Sequence, residues 1–282
     1  MKSVVVTGVS TGIGWGIAKV LIGQGFRVFG SVRQQADADR LSLEFGERFT
    51  PLIFDVTDEA AVRTAATQVS NALAGETLMG LVNNAGVSFV GPLLDLPIDQ
   101  FRQQIEVNLI GVVITTQAFA PLLAANDGRK GPPGRVVNIS SVGGRNATPF
   151  LGPYVASKFA IEGLSEALRR ELLLFGVDVI IVAPGAVATP IWGKAKQEDM
   201  APYANSPFFP AMQRVYAYMQ GIGSTGLKPE VLGEAVAKAL TTAKPKVRYT
   251  VAPDMFQTLL MEKLPRRMVD RMLGGRLGLL PK

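Results

Sequence analysis

The chain has 282 residues, 48% of them hydrophobic and 18% charged, enough apolar content for a sizeable core and too much for a disordered chain. It holds neither cysteine nor histidine, which excludes a disulfide framework, a Cys/His zinc site, a thiol nucleophile and a Ser-His-Asp triad; with no dense carboxylate cluster either, no metal is expected. The net charge of +6 sits entirely in residues 244–282, where nine Lys and Arg face only Asp254, Glu262 and Asp270, so a neutral body with a basic tail argues against a nucleic-acid partner.

The chain begins Met1-Lys2-Ser3 and passes straight into Val4-Val5-Val6, without the apolar stretch and cleavage site of a signal peptide. A cytoplasmic protein is therefore expected. Short β-branched runs then alternate with helical patterns. Strands are predicted at 3–7, 26–32, 50–54, 78–82, 135–140, 177–183 and 247–252, and helices at 12–24, 36–46, 58–73, 98–126, 154–175 and 229–243. Several strands are continuously apolar, as in Val179-Ile180-Ile181-Val182, the pattern of strands covered on both faces. The alternation predicts an α/β, doubly wound Rossmann fold with a seven-stranded, mainly parallel sheet flanked by helices and followed by a C-terminal helical extension. The uncharged run 107–126 contains Asn108, Thr115, Thr116, Gln117 and Pro121 and reads as a buried amphipathic helix in preference to a membrane span.

The first strand leads into Thr7-Gly8-Val9-Ser10-Thr11-Gly12-Ile13-Gly14. Glycines at 8, 12 and 14 let the backbone turn sharply and approach a pyrophosphate, which the N-terminus of the next helix would receive. At the end of the second strand, where NAD sites hold an acidic residue for the ribose 2′-hydroxyl, the segment is Phe29-Gly30-Ser31-Val32-Arg33 with no acid before Asp37. Arg33 suits a 2′-phosphate, so NADP(H) is favoured with NAD(H) as the alternative. The blander reading is a solvated Arg.

Ser140-Ser141 ends the fifth predicted strand, at the carboxyl edge where ligands bind such sheets. Tyr154 and Lys158 are four apart on a predicted helix and share one face. A cationic Lys beside a phenol favours phenolate and brings it toward acid–base work near neutral pH, although such a pair taken alone is usually a surface pair.

Together, Thr7-Gly8 through Gly14, Asn83-Asn84-Ala85-Gly86, Asn108, Ser141, the Tyr154/Lys158 pair and Pro184-Gly185 resemble the short-chain dehydrogenase/reductases in their short, single-domain form. The resemblance covers about residues 3–252. The long tail and the 29–33 segment are loosely similar to hydroxysteroid and retinol dehydrogenases. It implies Tyr154 as general acid/base, Lys158 lowering its pKa and holding the nicotinamide ribose, Ser141 orienting the substrate oxygen, and Asn108 holding a water that links Lys158 to solvent. It implies further that Gly8, Ser10, Thr11, Gly12, Ile13 and Gly14 cradle the phosphates. Asn83, Asn84, Ala85 and Gly86 would support the central sheet beside the adenosine ribose; Asp55 would meet the adenine amino group, with Val56 adding backbone contacts. Pro184, Gly185 and Val187 would shape the nicotinamide pocket, and Thr189 would contact the carboxamide or the phosphates. Asp55 has a plainer reading, as the cap of a helix near Thr57.

The resulting expectation is an NAD(P)(H)-dependent oxidoreductase interconverting a hydrophobic ketone or aldehyde and an alcohol; the alternative is a non-catalytic dinucleotide-binding sensor or scaffold. A homodimer or homotetramer is expected. Residues 1–253 form the expected catalytic domain, with a substrate lid at about 190–228, and 254–282 the basic amphipathic extension. Trp192, Met200, Phe208, Phe209, Met212, Tyr216 and Met219 would line an apolar pocket, or else pack the lid onto the core. The tail reads as two short helices with Pro265 in a first turn. Packing on its own chain or a sister subunit is preferred over membrane-surface contact or substrate gating.

Overall fold

The computed structural model describes residues 2–124, 128–189 and 197–281. Seven strands form one parallel sheet: β1 (Ser3–Val6), β2 (Arg27–Val32), β3 (Phe49–Ile53), β4 (Gly80–Asn83), β5 (Arg135–Ile139), β6 (Asp178–Pro184) and β7 (Arg248–Val251), in the order β3-β2-β1-β4-β5-β6-β7. Every pairing is parallel, with Val5 beside both Phe29 and Leu81. The winding reverses between β1 and β4, and the crevice at that switch is where doubly wound sheets bind their ligands.

The apolar strands are explained by the two layers that cover them. Val4 and Val6 face a core with Ile17 and Leu21 of α1 (Gly12–Gly23), Leu41 of α2 (Gln35–Phe45) and Leu232 and Val236 of the helix Pro229–Thr241. Val5, pointing the other way, joins Val62 and Val69 of α3 (Glu59–Leu73) and Phe119 and Leu123 of the helix Gly111–Leu123. Strand residues alternate faces, so a sheet buried on both sides favours apolar residues on both, as at Val4, Val5 and Val6.

The predicted 98–126 helix is α4 (Ile98–Ile105), a π-helical turn (Glu106–Ile110) and α5 (Gly111–Leu123) run together. By length and composition this run passes for a membrane span. It lies instead against the sheet, with Thr115 donating to Asn83 of β4 at 2.7 Å. α6 (Gly152–Glu171) follows β5. The long stretch after β6 is not irregular throughout: a 3-10 segment (Gln197–Tyr203) and α7 (Phe209–Thr225) precede α8 (Pro229–Thr241). Met200, Tyr203, Met212, Val215 and Met219 form a separate cluster with Phe150 and with Leu277 of the tail. The tail is α9 (Met255–Lys263) and α10 (Arg266–Leu277). Pro265 stands at the N-cap, one residue before the first turn expected from the sequence.

Candidate active site

At the carboxyl end of β1 the chain folds into a cradle that only glycine permits. Gly8 and Gly12 have φ of +69° and +61°, left-handed values that L side chains rarely adopt. A Cβ on Gly14 would stand 2.1 Å from the Gly8 carbonyl oxygen and 2.5 Å from Asn84 Nδ2. Thr11 is the N-cap of α1 but makes no side-chain cap bond, so the first-turn N–H groups of α1 have no cap from this side chain, as an anion site requires. Ser10 and Ile13 complete the turn.

The cradle is braced from the next strands. Gly8 N–H donates to Ser31 Oγ at 2.9 Å. Thr7 Oγ1 accepts from the N–H groups of Asn84 and Ala85, at 2.9 and 3.0 Å. Asn84 Nδ2 returns two bonds to the Thr7 and Gly8 carbonyls. Its side chain is thus committed to the turn. Asn83 is buried in the sheet, donating to Asn138 Oδ1 at 2.8 Å and Thr116 Oγ1 at 3.0 Å. These residues fit a dinucleotide: a backbone-lined concavity, a helix N-terminus and, beyond it, a basic side chain.

That side chain is Arg33, exposed at the end of β2, with Nη1 3.8 Å from Asp55 Oδ2. The two residues read separately from the sequence therefore meet. Asp55 does not cap the following helix; it closes a turn on Thr57 N–H and Oγ1, at 3.0 and 2.8 Å, and Asp58 caps α3 by accepting from Ala61 N–H. Val56 is buried beneath. The sequence reading missed Arg40 of α2, whose Nη2 donates to the Ser10 carbonyl at 2.7 Å and to Asp37 at 2.9 Å.

Across the crevice, Ser141 follows β5 in extended backbone and caps a 3-10 turn (Val142–Gly144); its Oγ accepts from Gly143 N–H at 2.9 Å and reaches the Pro184 carbonyl at 3.5 Å. Tyr154 and Lys158 are in the first half of α6. Ser141 hydrogen-bonds the Tyr154 side chain, which opposes the upward push of burial on the phenol; burial prevails and the pKa lies above the ordinary value. This differs from the expectation that Lys158 would lower it. Lys158 Nζ sits 5.7 Å from the Tyr154 ring centre and donates to the Ile139 carbonyl at 2.8 Å. Burial brings the Lys158 pKa down to about 8, with the Glu162 carboxylate acting the other way, because a charge removed from water loses solvation.

Asn108 lies in the π turn, buried. Its Oδ1 accepts from Val87 N–H at 2.8 Å, and Nδ2 donates to the Val87 carbonyl and Ser157 Oγ, at 3.0 and 3.2 Å. The side chain thus ties the strand-to-helix loop beside Gly86 to α6, and the Gly86 Cβ position is 3.2 Å from Asn108 Oδ1. Past β6, Gly185 N–H donates to Val251 at 2.8 Å and Val187 bridges to Leu227 with its side chain in the core. Thr189 is half-buried at the end of the described segment.

The expected lid side chains divide. Met200, Met212 and Met219 are buried in the interior of the lid cluster, while Phe208, Phe209 and Tyr216 are partly buried around it. Packing claims the methionines, and only the three aromatics retain exposed surface. Trp192 lies outside the described residues.

Sequence spacing held no hint of an ion network behind Ser141. Arg248 of β7 donates through Nε to both oxygens of Glu162, at 3.2 and 3.0 Å, and Nη2 lies 3.5 Å from the Ser141 carbonyl. Arg145 lies 3.4 Å from Glu162 and 3.5 Å from Glu262 of α9.

A family model described as short chain dehydrogenase matches residues 2–200. The NADPH-dependent 3-dehydrocapnine reductase of Ornithobacterium rhinotracheale is 40% identical over 273 residues, 96% of this chain and 95% of that protein. The uncharacterized oxidoreductase YbbO of Escherichia coli strain K12 is 33% identical over 276 residues, 97% of this chain and 94% of that one. A solved short-chain dehydrogenase from Streptomyces avermitilis is similar with a TM-score of 0.76 at 28% identity, covering 98% of this chain and 97% of that chain. Likeness of this extent spans the whole sheet and the tail beyond it, and the chain belongs to the short-chain dehydrogenase family of oxidoreductases.

Proposed function

We propose that the chain is an NADP(H)-dependent carbonyl reductase, working on a hydrophobic ketone or aldehyde, with the alcohol oxidation as its reverse. The observation that carries this is the convergence of Ser141, Tyr154 and Lys158 at the carboxyl edge of the sheet, across from the glycine cradle. When bound, the dinucleotide supplies the hydride that adds to the carbonyl carbon. Ser141 Oγ orients the carbonyl oxygen. Tyr154 is a phenol held protonated by burial, so it can give its proton to that oxygen as negative charge develops there. Lys158 is cationic at neutral pH with a pKa of about 8; it stabilises the tyrosinate left behind and binds the nicotinamide ribose. Asn108, whose side chain bonds Val87 and Ser157, holds a water that links Lys158 to solvent.

Several observations support the finer points. Arg33 at the β2 end supports a 2′-phosphate, hence NADP(H) before NAD(H), in keeping with the NADPH dependence in the name of the 40% identical reductase. That name also supports a ketone as substrate. The partly buried Phe208, Phe209 and Tyr216 support an apolar one. We propose that Gly12 and Gly14 face the pyrophosphate, Asp55 and Val56 the adenine, Ala85 and Gly86 the adenosine ribose, and Pro184, Gly185, Val187 and Thr189 the nicotinamide. We also propose residues 1–253 as the catalytic domain, with the lid at 190–228 and the extension at 254–282, in a cytoplasmic homodimer or homotetramer.

A spectrophotometric screen of hydrophobic ketones and alcohols with NADP(H) and NAD(H) tests the reading. Tyr154→Phe should then lose turnover while still binding NADPH. Near-normal activity in that variant would overturn the assignment, and nucleotide binding without turnover of any carbonyl would point to a sensor or scaffold.

A further inference from the structure

We propose that Glu262, in the C-terminal extension, is a positioning residue for the reaction at Ser141, and this rests on the reading of Ser141 and Tyr154 above. The residue is 121 positions after Ser141 in the chain yet belongs to the same buried cluster of charge. Two carboxylates, Glu162 and Glu262, alternate with two guanidiniums, Arg145 and Arg248. Arg248 spans both acids, with Nε 3.0 Å from Glu162 Oε2 and Nη1 3.8 Å from Glu262 Oε1. Arg145 spans them as well, at 3.4 and 3.5 Å. The square is electrically neutral. Arg248 is 8% exposed and the two acids 13% each, whereas half of Arg145 faces solvent.

Each cation is attached to the segment that carries Ser141. Arg145 is part of it, one residue past the 3-10 turn that Ser141 caps. Arg248 Nη2 reaches the Ser141 carbonyl at 3.5 Å. A third cation from the tail joins them: Arg266 donates to Asn146 Oδ1 at 3.1 Å and to the Arg145 carbonyl at 3.3 Å. The tail therefore grips residues 141–146 from outside, through Arg266 on the backbone and Asn146 and through the carboxylate of Glu262 on the Arg145 side chain.

Removing that carboxylate unbalances the square. Arg248 cannot leave, being buried, and keeps Glu162; half-exposed Arg145 loses one of its two carboxylates and can turn partly to solvent, so the loop is held by Arg266 and Glu162 alone and loosens. The Ser141 hydroxyl is oriented by Gly143 N–H within that same loop, so loop freedom becomes misplacement of the group that orients the carbonyl. Misplacement by about 1 Å costs up to roughly a hundredfold in rate. The tail itself stays docked without Glu262, because Val269 and Leu277 are buried and Arg214 Nη1 donates to the Leu277 carbonyl at 2.5 Å.

The experiment uses the full chain, NADPH and the hydrophobic carbonyl identified in the screen, comparing wild type with Glu262→Gln, Glu262→Asp, Val269→Ala and Tyr154→Phe. Val269→Ala is the control for lost tail packing. Glu262→Gln is expected to lower kcat about tenfold or more with KM for NADPH unchanged, and Glu262→Asp to recover part of that loss. Amide exchange at Gly144 and Arg145, whose N–H groups bond the Ser141 and Val142 carbonyls, should quicken in Glu262→Gln and stay at the wild-type rate in Val269→Ala. A Glu262→Gln enzyme with unchanged kcat, or one whose loss merely tracks its fall in Tm as in Val269→Ala, overturns the positioning role. If that happens while Tyr154→Phe is inactive, the catalytic reading stands and only the role of Glu262 falls; an active Tyr154→Phe overturns both.

Discussion

Arg33 and Asp55 meet across the ends of β2 and β3, with Nη1 3.8 Å from Oδ2 and Arg33 69% exposed. The guanidinium lies beside an acid that is itself fixed in a turn on Thr57. Arg33→Asp would set two carboxylates side by side, so Arg33→Gln isolates the lost charge more cleanly. An exposed charge pair is worth up to about 1 kcal/mol, so Arg33→Gln should raise KM for NADPH up to about fivefold and leave KM for NADH nearly unchanged. Steady-state kinetics with both cofactors decide it; an equal effect on the two would sink the 2′-phosphate argument.

Gly14→Ala is expected to damage the cradle directly. Its Cβ would lie 2.1 Å from the Gly8 carbonyl oxygen and 2.5 Å from Asn84 Nδ2; the carbonyl is backbone, and the Asn84 amide is itself bonded to the Thr7 and Gly8 carbonyls, so neither gives way without loss. Overpacking of this kind costs about 1–3 kcal/mol. Dinucleotide titration by fluorescence should show binding weakened at least tenfold, together with a lower Tm. Wild-type affinity in the variant would mean that the turn is not the phosphate site.

The buried Asn83 is expected to matter for stability before chemistry. Asn83→Ala deprives Asn138 Oδ1 and Thr116 Oγ1 of their donor, and an orphaned buried acceptor costs about 1–3 kcal/mol. Asn83→Asp should be worse at pH 7, since it sets a carboxylate against Asn138 Oδ1, and should recover as the pH falls and the acid gains a proton to donate. Urea unfolding at two pH values measures both; equal stability of the two variants at pH 7 would contradict the role of the Asn83 amide as donor to both neighbours.

Lys158 links stability to pH. Its folded pKa is about 8, below the ordinary 10.5. Between those values the unfolded chain still holds a proton that the folded chain has released, so stability rises with pH across that window. The unfolding free energy of wild type minus that of Lys158→Met should therefore increase from pH 8 to pH 10.5 by on the order of 3 kcal/mol at most, and stay flat below pH 7. A difference that falls across the window would mean that the ammonium is stabilised and not desolvated.

Much of the fold can be read along the chain because its signals are local. Val4-Val5-Val6 are apolar at every position since helices cover both faces, and all seven strands fall within two residues of their predicted ends. Gly8 and Gly12 announce the turn because positive φ strongly favours glycine. Tyr154 and Lys158 share a face by helical period alone. The methionines of the lid were ambiguous for the opposite reason: an apolar residue at helical spacing is compatible with pocket or packing, and only the neighbours, Phe150 and Leu277 among them, decide for packing.

What the sequence determined by itself is whatever depends on a residue and its next few neighbours: strand and helix, the glycine turn, the tyrosine–lysine face, and the placing of all excess charge after residue 243. What only the tertiary structure decided is which charges meet and how deeply they are buried. Arg33 finds Asp55, and Arg145 and Arg248 find Glu162 and Glu262, over separations of up to 117 residues. The basic tail thereby turns out to carry one buried acid toward Ser141. Burial likewise moves Tyr154 up and Lys158 down, because the solvation lost on folding depends on everything packed around a group and not on its place in the chain.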